Sequence, residues 1–445
     1  MEQRKELDQF LTQKRERKQE KINKKLWETR FLRNLRRIEG DKNFGRKSKI
    51  ISMLAKSYKG KAYKQRDALK LIIPTTFSII EKPEVVIAAI GQFAKSIREQ
   101  RPKKMTLDQS ELMIYDLAAN GLLDVVAIEL EMETKQSRRK TKWGGTFPKD
   151  ENVMRFIKAL GITKHLGLEY KYPAGNSARD YRVFDKRNRH YYGGLKPDKA
   201  DYKNKVVAEF ADHINNCLLA HGRKLTPEAL GKLCDYTGEI IDNAEEHAGM
   251  FDWTIQGYLD NNCAIPLCEI AIFNFGVTIA ESLNELPRNS YTWKQISPYI
   301  NNHKLKKFFG PDWSELDLLT VIALQGHVSS KNNTAQDTRG NGTVELIEFF
   351  QKMHKECSTN EAASTAKMAI ISGGTYILFD GTHKLIEQKS GAKTVTFNKQ
   401  NSLEDLPDAK YVRGLKGLHF PGTIISIKFP LGATSTIDKG DKNVG

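Results

Sequence analysis

From residue 1 to residue 39 the chain contains neither proline nor glycine, and Lys, Arg, Glu and Gln dominate. These are good helix formers, so one long helix over residues 2–38 is expected. Its apolar residues (Leu7, Phe10, Leu11, Ile22, Leu26, Phe31, Leu32 and Leu35) form only a sparse stripe. A helix polar over most of its surface cannot bury much by itself. The charge is as uneven as the hydropathy. Residues 1–104 hold 29 basic and 12 acidic side chains, and the remainder is neutral, so the net charge of +17 belongs to one end. Lys14, Arg15, Arg17, Lys18, Lys24, Lys25, Arg33, Arg36 and Arg37 cover several faces of the expected helix. They predict contact with the phosphate backbone of a nucleic acid, without sequence reading. A solvated or protein-binding helix is the competing reading.

Several classes are excluded by the same reading. No stretch of 18 or more apolar residues occurs, so no membrane-spanning helix is expected. The opening MEQRKELDQF has no apolar core, which argues against a secretory signal. The five cysteines are few, odd in number and scattered, which suits reduced thiols and a cytoplasmic location. Cys263 and Cys268 have no second ligand pair nearby, so two thiols are favoured over a zinc site.

After a basic linker with a short helix (42–70), the texture changes. Strand-like runs at 71–74 and 104–107 alternate with helical spacing at 83–98, 110–126 and 152–160. That alternation predicts a small α/β layer. Residues 171–200 read as an irregular connection. A long helix from Tyr202 follows, and Thr226-Pro227-Glu228 opens the next with Thr at the N-cap and Pro in the first turn. Strands are expected at 253–259 and 270–275, helices at 279–286, 314–325 and 343–353, and four strand-like runs thereafter, ending at 426–429. Between them, residues 326–342 (GHVSSKNNTAQDTRGNG) form a polar loop with no apolar anchor.

Chemistry concentrates on the helix from Pro227. Glu239, Asn243 and His247 stand at i, i+4 and i+8, on one helical face. A β-run then ends at Asn274-Phe275-Gly276 and turns into a helix. Farther on, Arg339-Gly340-Asn341-Gly342-Thr343 opens a helix, where glycine backbone N–H groups can meet phosphate oxygens.

In this order the motifs resemble those of the GHKL, or Bergerat-type, ATPases. Glu239-Ile240-Ile241-Asp242-Asn243 matches the E-x-x-x-N helix, and Asn243-Ala244 through His247 is similar to the kinase-branch N-box. Asn274 through Ile279 matches the D-x-G-x-G element, with Asn for the Asp and Thr278 for the second Gly. Residues 329–342 match the lid, and Gly422-Thr423 the final G-T. The resemblance covers about half of the chain. It implies ATP and Mg²⁺ as ligands. Asn243 would ligate Mg²⁺ and Glu239 would act as general base. Asn274, Gly276 and Thr423 would meet the base. His247, Lys331, Arg339, Gly340, Gly342 and Thr343 would complete the nucleotide site. A homodimer through the lid or a neighbouring element is implied too.

Residues 71–165 show a weaker resemblance to STAS domains through Met105 to Ser110 and Tyr115 to Ala119, with Ala118 at the phosphoacceptor position. The expected division is therefore a basic arm and linker (1–69), a STAS-like α/β layer (70–170), a connector (171–200), a GHKL-type α/β sandwich (201–432) and a tail (433–445). The expected function is an ATP-driven switch, a slow Mg-dependent ATPase in bacterial regulation or defence. A serine protein kinase of the anti-sigma-factor type and a nucleic-acid-binding scaffold with a degenerate pocket are the alternatives.

Overall fold

The computed structural model describes residues 47–63, 68–136, 141–160, 181–188, 199–219, 223–227, 230–231, 233–235, 237–238, 241–242, 252–260, 267–326, 328, 332, 342–357, 366–388, 393–430 and 436–438. Two compact units emerge, Met1–Ser48 and Lys49–Gly445. The basic arm, with all nine residues from Lys14 to Arg37 named above, lies outside the described residues.

The second unit begins with α1 (Lys49–Ser57), β1 (Ala68–Ile72), β2 (Thr76–Phe77), α2 (Pro83–Gln100), β3 (Lys104–Asp108), β4 (Ile114–Tyr115), α3 (Leu117–Gln136), β5 (Lys142–Thr146) and α4 (Glu151–Leu160). Strands β1, β3 and β5 form a three-stranded parallel sheet in the order β1-β3-β5. Then come β6 (Tyr181–Asn188), α5 (Lys199–Leu219), β7 (Arg223–Leu225), β8 (Trp253–Asp260), β9 (Leu267–Phe275), α6 (Ile279–Asn284), α7 (Tyr291–Leu305), α8 (Glu315–Ile322) and α9 (Gly342–Cys357). The chain ends with β10 (Lys367–Gly373), β11 (Thr375–Phe379), β12 (Ile386–Glu387), β13 (Lys393–Thr394), β14 (Val412–Gly414), β15 (Phe420–Pro430) and β16 (Thr436–Asp438). A seven-stranded antiparallel sheet ordered β14-β11-β10-β15-β9-β8-β6 is its centre. The architecture is mixed α/β, and among the described residues no helix is long and apolar enough to cross a membrane.

Both faces of the large sheet are covered, and the strand pleat sorts residues between them. Ile270, Ile272, Ile370, Ile425 and Ile427 share a core with Phe210 of α5, Leu319 of α8 and Ile347 of α9. Ala271, Phe273, Phe275, Ile371 and Ile424 share the other with Ile51 of α1, Phe93 of α2 and Leu122 of α3. This explains why β9 is apolar at nearly every position rather than alternating. It also explains α3, in which every residue from Leu117 to Ala127 is buried. A helix buried all round needs neighbours on all sides.

Polar bonds fasten the N-terminal layer to the sheet. The Leu117 N–H donates to Glu269 Oε2 at 2.7 Å, and Glu269 pairs with Lys428 at 3.0 Å. Tyr376 donates its hydroxyl to the Ile80 carbonyl at 2.6 Å, and Arg413 pairs with Glu84 at 2.8 Å. Asp116 accepts from Ser78 Oγ, Ile80 N–H and Ala119 N–H.

These contacts correct the expected division. Residues 70–160 and the large sheet share one core, and the boundary falls at Ser48/Lys49, because Ile50, Ile51 and Leu54 of α1 are buried. The segment 171–200 is not merely a connector, since β6 pairs along β8 as an edge strand. Its Arg, Asp and Lys residues hid the strand from a hydropathy reading. The helix expected from residue 110 starts at Leu117, with Met113 outside it and exposed, and Asp116 satisfying its first turn. Helix α7 and strand β5 are among the elements the hydropathy pattern did not predict. Helix α7 carries Pro298 within it, and β5 (KWGGT) has little apolar surface.

Candidate functional site

Asn274 stands at the end of β9, on the sheet face of Ile270 and Ile272. Its register partner on β15 is Thr423, whose backbone N–H donates to Asn274 Oδ1 at 3.0 Å. The close approach of the strands depends on glycine. Gly422 has φ +144°, and a Cβ there would lie 2.1 Å from the Asn274 carbonyl oxygen. Across from it Gly276, at φ +133°, donates its N–H to the Pro421 carbonyl at 3.0 Å and turns the chain out of the sheet.

Thr278 then caps α6. Its hydroxyl accepts from the Glu281 N–H while the Glu281 carboxylate accepts from the Thr278 N–H. This reciprocal cap explains why Thr stands where the resembled pattern has a second glycine. The Ile279 N–H donates to Ser372 Oγ at 2.9 Å, and Ser372 Oγ lies 2.9 Å from Thr423 Oγ1. Asn274, Thr423 and Ser372 thus form one polar row across three adjacent strands, the first two half-buried and the third buried.

His419 lies beside Gly373, the residue that follows Ser372. Next to Ser372, Gly373 has φ +62°, and a Cβ on it would be 3.2 Å from both His419 Cε1 and Thr278 Cγ2. Burial holds the His419 imidazole below its ordinary range, Lys59 adds to that effect and Glu281 opposes it. On its other side His419 lines a cavity of about 10 Å³ with Leu54 and Tyr58 near α1 and with Gly91 of α2. Ser372, Gly373 and His419 escaped the sequence reading. The signal for the first two was the Ser-Gly-Gly that follows the apolar run of β10.

The remaining motif residues divide. Described positions between 227 and 242 are helical, and Leu233 and Ile241 enter the same core as Ile270. Ile241, inside the E-x-x-x-N stretch, therefore packs in the core on the sheet face of Asn274. Glu239, Asn243 and His247 themselves lie outside the described residues, as do Lys331, Arg339 and Gly340. Gly342 opens α9 with Thr343 half-buried in its first turn, and α9 packs on that face through Leu346, Ile347 and Phe350. The G-T element lies inside β15, not ahead of it. Among the described residues no group of His, Cys, Asp and Glu could hold a metal ion. The expected Mg²⁺ ligand, Asn243, is outside them. No family model, curated protein or solved structure matches the chain.

Proposed function

We propose that the polar row of Asn274, Thr423 and Ser372 is the base-binding end of a GHKL-type nucleotide site, and that the protein is a nucleotide-driven switch. The ligand is a purine nucleoside triphosphate with Mg²⁺, ATP being the one the resemblance implies. The observation that supports this most is the Asn274–Thr423 hydrogen bond. Two motifs 149 residues apart in sequence meet on adjacent strands, on the face where Leu233 and Ile241, beside and within the E-x-x-x-N stretch, and Leu346 and Ile347 of α9 also pack. In this reading Glu239 orients or deprotonates the attacking water. Asn243 would hold Mg²⁺ together with the phosphates, and the ion would offset phosphate charge. Backbone N–H groups around Gly340 and Gly342, with Lys331 or Arg339, would take the γ-phosphate. His247 would support the N-box.

Switching has a physical route. His419, directly ahead of β15, lines a cavity with Leu54, Tyr58 and Gly91 of the N-terminal layer, so a ligand that shifts β15 would shift that contact. In the STAS-like layer Ala118 carries no hydroxyl and is fully buried. That layer then serves as a binding or structural module. The basic arm would add nucleic-acid contacts.

Calorimetry with Mg-ATP on the wild-type chain and on Asn243→Ala, with phosphate release followed in parallel, tests the proposal. Saturable wild-type binding that the substitution abolishes is expected, with slow phosphate release. Absence of any nucleotide binding by the wild type sinks it. Radiolabel moving from ATP to a co-purified protein would replace hydrolysis by transfer.

A further inference from the structure

The hydrogen-bonding direction of the base row discriminates between purines. Asn274 is the key residue, because Oδ1 and Nδ2 of an amide have opposite roles. The partner across the strands fixes which atom is which. A backbone N–H can only donate, so the atom 3.0 Å from Thr423 N is the oxygen. With Oδ1 on the Thr423 N–H, the Nδ2 group of this half-buried side chain points away from that N–H. Asn274 presents N–H donors to the site.

Thr423 presents a second donor. The Ser372 hydroxyl accepts from the Ile279 N–H and is 1% exposed. Its own proton has Thr423 Oγ1, at 2.9 Å, as the acceptor within reach. A buried hydroxyl proton left unpaired is costly, so Ser372 donates to Thr423. The Thr423 proton is thereby left for another acceptor. Two adjacent donors, Nδ2–H and Oγ1–H, face one base edge.

Along the edge that carries N7 and position 6, guanine offers acceptors at both O6 and N7, whereas adenine offers N7 and a donating amino group. We infer that the site prefers a nucleotide with a 6-oxopurine base, guanine or hypoxanthine, over an adenine nucleotide. The inference rests on the nucleotide-site reading above and specifies its ligand. Asn274→Asp is the informative variant. It keeps an oxygen for the Thr423 N–H and converts the neighbouring donor into an acceptor.

The experiment is calorimetry of the full-length wild type and Asn274→Asp with Mg-GTP, Mg-ITP and Mg-ATP, with thermal melts to show that the variant is folded. One matched base contact is worth about ten- to a hundredfold in affinity. GTP and ITP should bind the wild type tighter than ATP by about that factor, and the variant should shift the ratio toward ATP by a similar one. ATP binding the wild type as tightly as GTP, or tighter, overturns the inference and leaves the nucleotide site standing. Failure of all three to bind overturns both. The wild-type comparison decides even if the variant does not fold.

Discussion

Replacing Gly422 by alanine tests whether the base row depends on the contact between β9 and β15. An added Cβ would stand 2.1 Å from the Asn274 carbonyl oxygen and 2.9 Å from both the Asn274 carbonyl carbon and Phe275 Cα. All three are backbone atoms of a central strand, so none can rotate aside. The residue also sits at φ +144°, a region closed to side chains. Backbone strain of this kind costs about 1–3 kcal/mol. Forcing extra volume into packed structure adds about 1–3 kcal/mol. A total near 4 kcal/mol is expected from those two ranges.

Gly417→Ala separates the two contributions, because Gly417 is at φ +80° with no atom within 4 Å of its virtual Cβ. It should lose only the backbone part, about 1–2 kcal/mol. Urea unfolding followed by far-UV circular dichroism gives both midpoints, and unchanged slopes show that the unfolded states are comparable. Under the proposed function, Gly422→Ala should also weaken nucleotide binding more than Gly417→Ala does, since parting the strands breaks the Asn274–Thr423 bond. If Gly422→Ala is no less stable than Gly417→Ala, the close approach does not exist and the base row loses its foundation.

Two further outcomes follow from the fastening of the N-terminal layer to the sheet. Lys428→Met leaves the buried Glu269 with only the Leu117 N–H, and should cost about 3 kcal/mol. Pairing it with Glu269→Gln should recover part of that loss in a double-mutant cycle of urea midpoints. Asp116 carries a pH signature. Burial, reinforced by the Glu269 carboxylate, pushes its carboxyl up to about 6 from the usual 3.8. A carboxyl raised in the folded state favours folding while protonated, so its contribution is full below pH 3.8, falls as pH rises toward 6, and is flat above that. The difference in urea midpoint between wild type and Asp116→Asn should change across pH 4–6 and be constant from pH 7 to 8; a constant difference throughout would refute the assignment.

Much of the local structure was legible in the sequence. Strands β3, β8 and β9 and helices α2, α4, α5 and α9 fall close to where periodicity put them, because each has an apolar pattern that only one local geometry can bury. Asn274, Gly276 and Thr423 were legible as motif positions. Ser372 and His419 were not, because a serine or histidine has no local pattern that reveals which distant strand it will face. Edge strand β6 escaped for the opposite reason. An edge strand with charged side chains gains its place from backbone pairing with β8, and backbone pairing leaves no trace in hydropathy.

The sequence by itself determined where the apolar central strands and the amphipathic helices form, and that the charge is gathered at one end. Those are properties of short stretches of chain. Tertiary structure alone decided that residues 49–160 share a core with the large sheet, that Gly422 lets two strands close until the Thr423 N–H reaches Asn274, and hence that the asparagine turns its amide donors outward. The direction of a hydrogen bond between residues 149 apart is set by strand register. Register is fixed by packing both faces of the sheet at once, which no single segment of the sequence encodes.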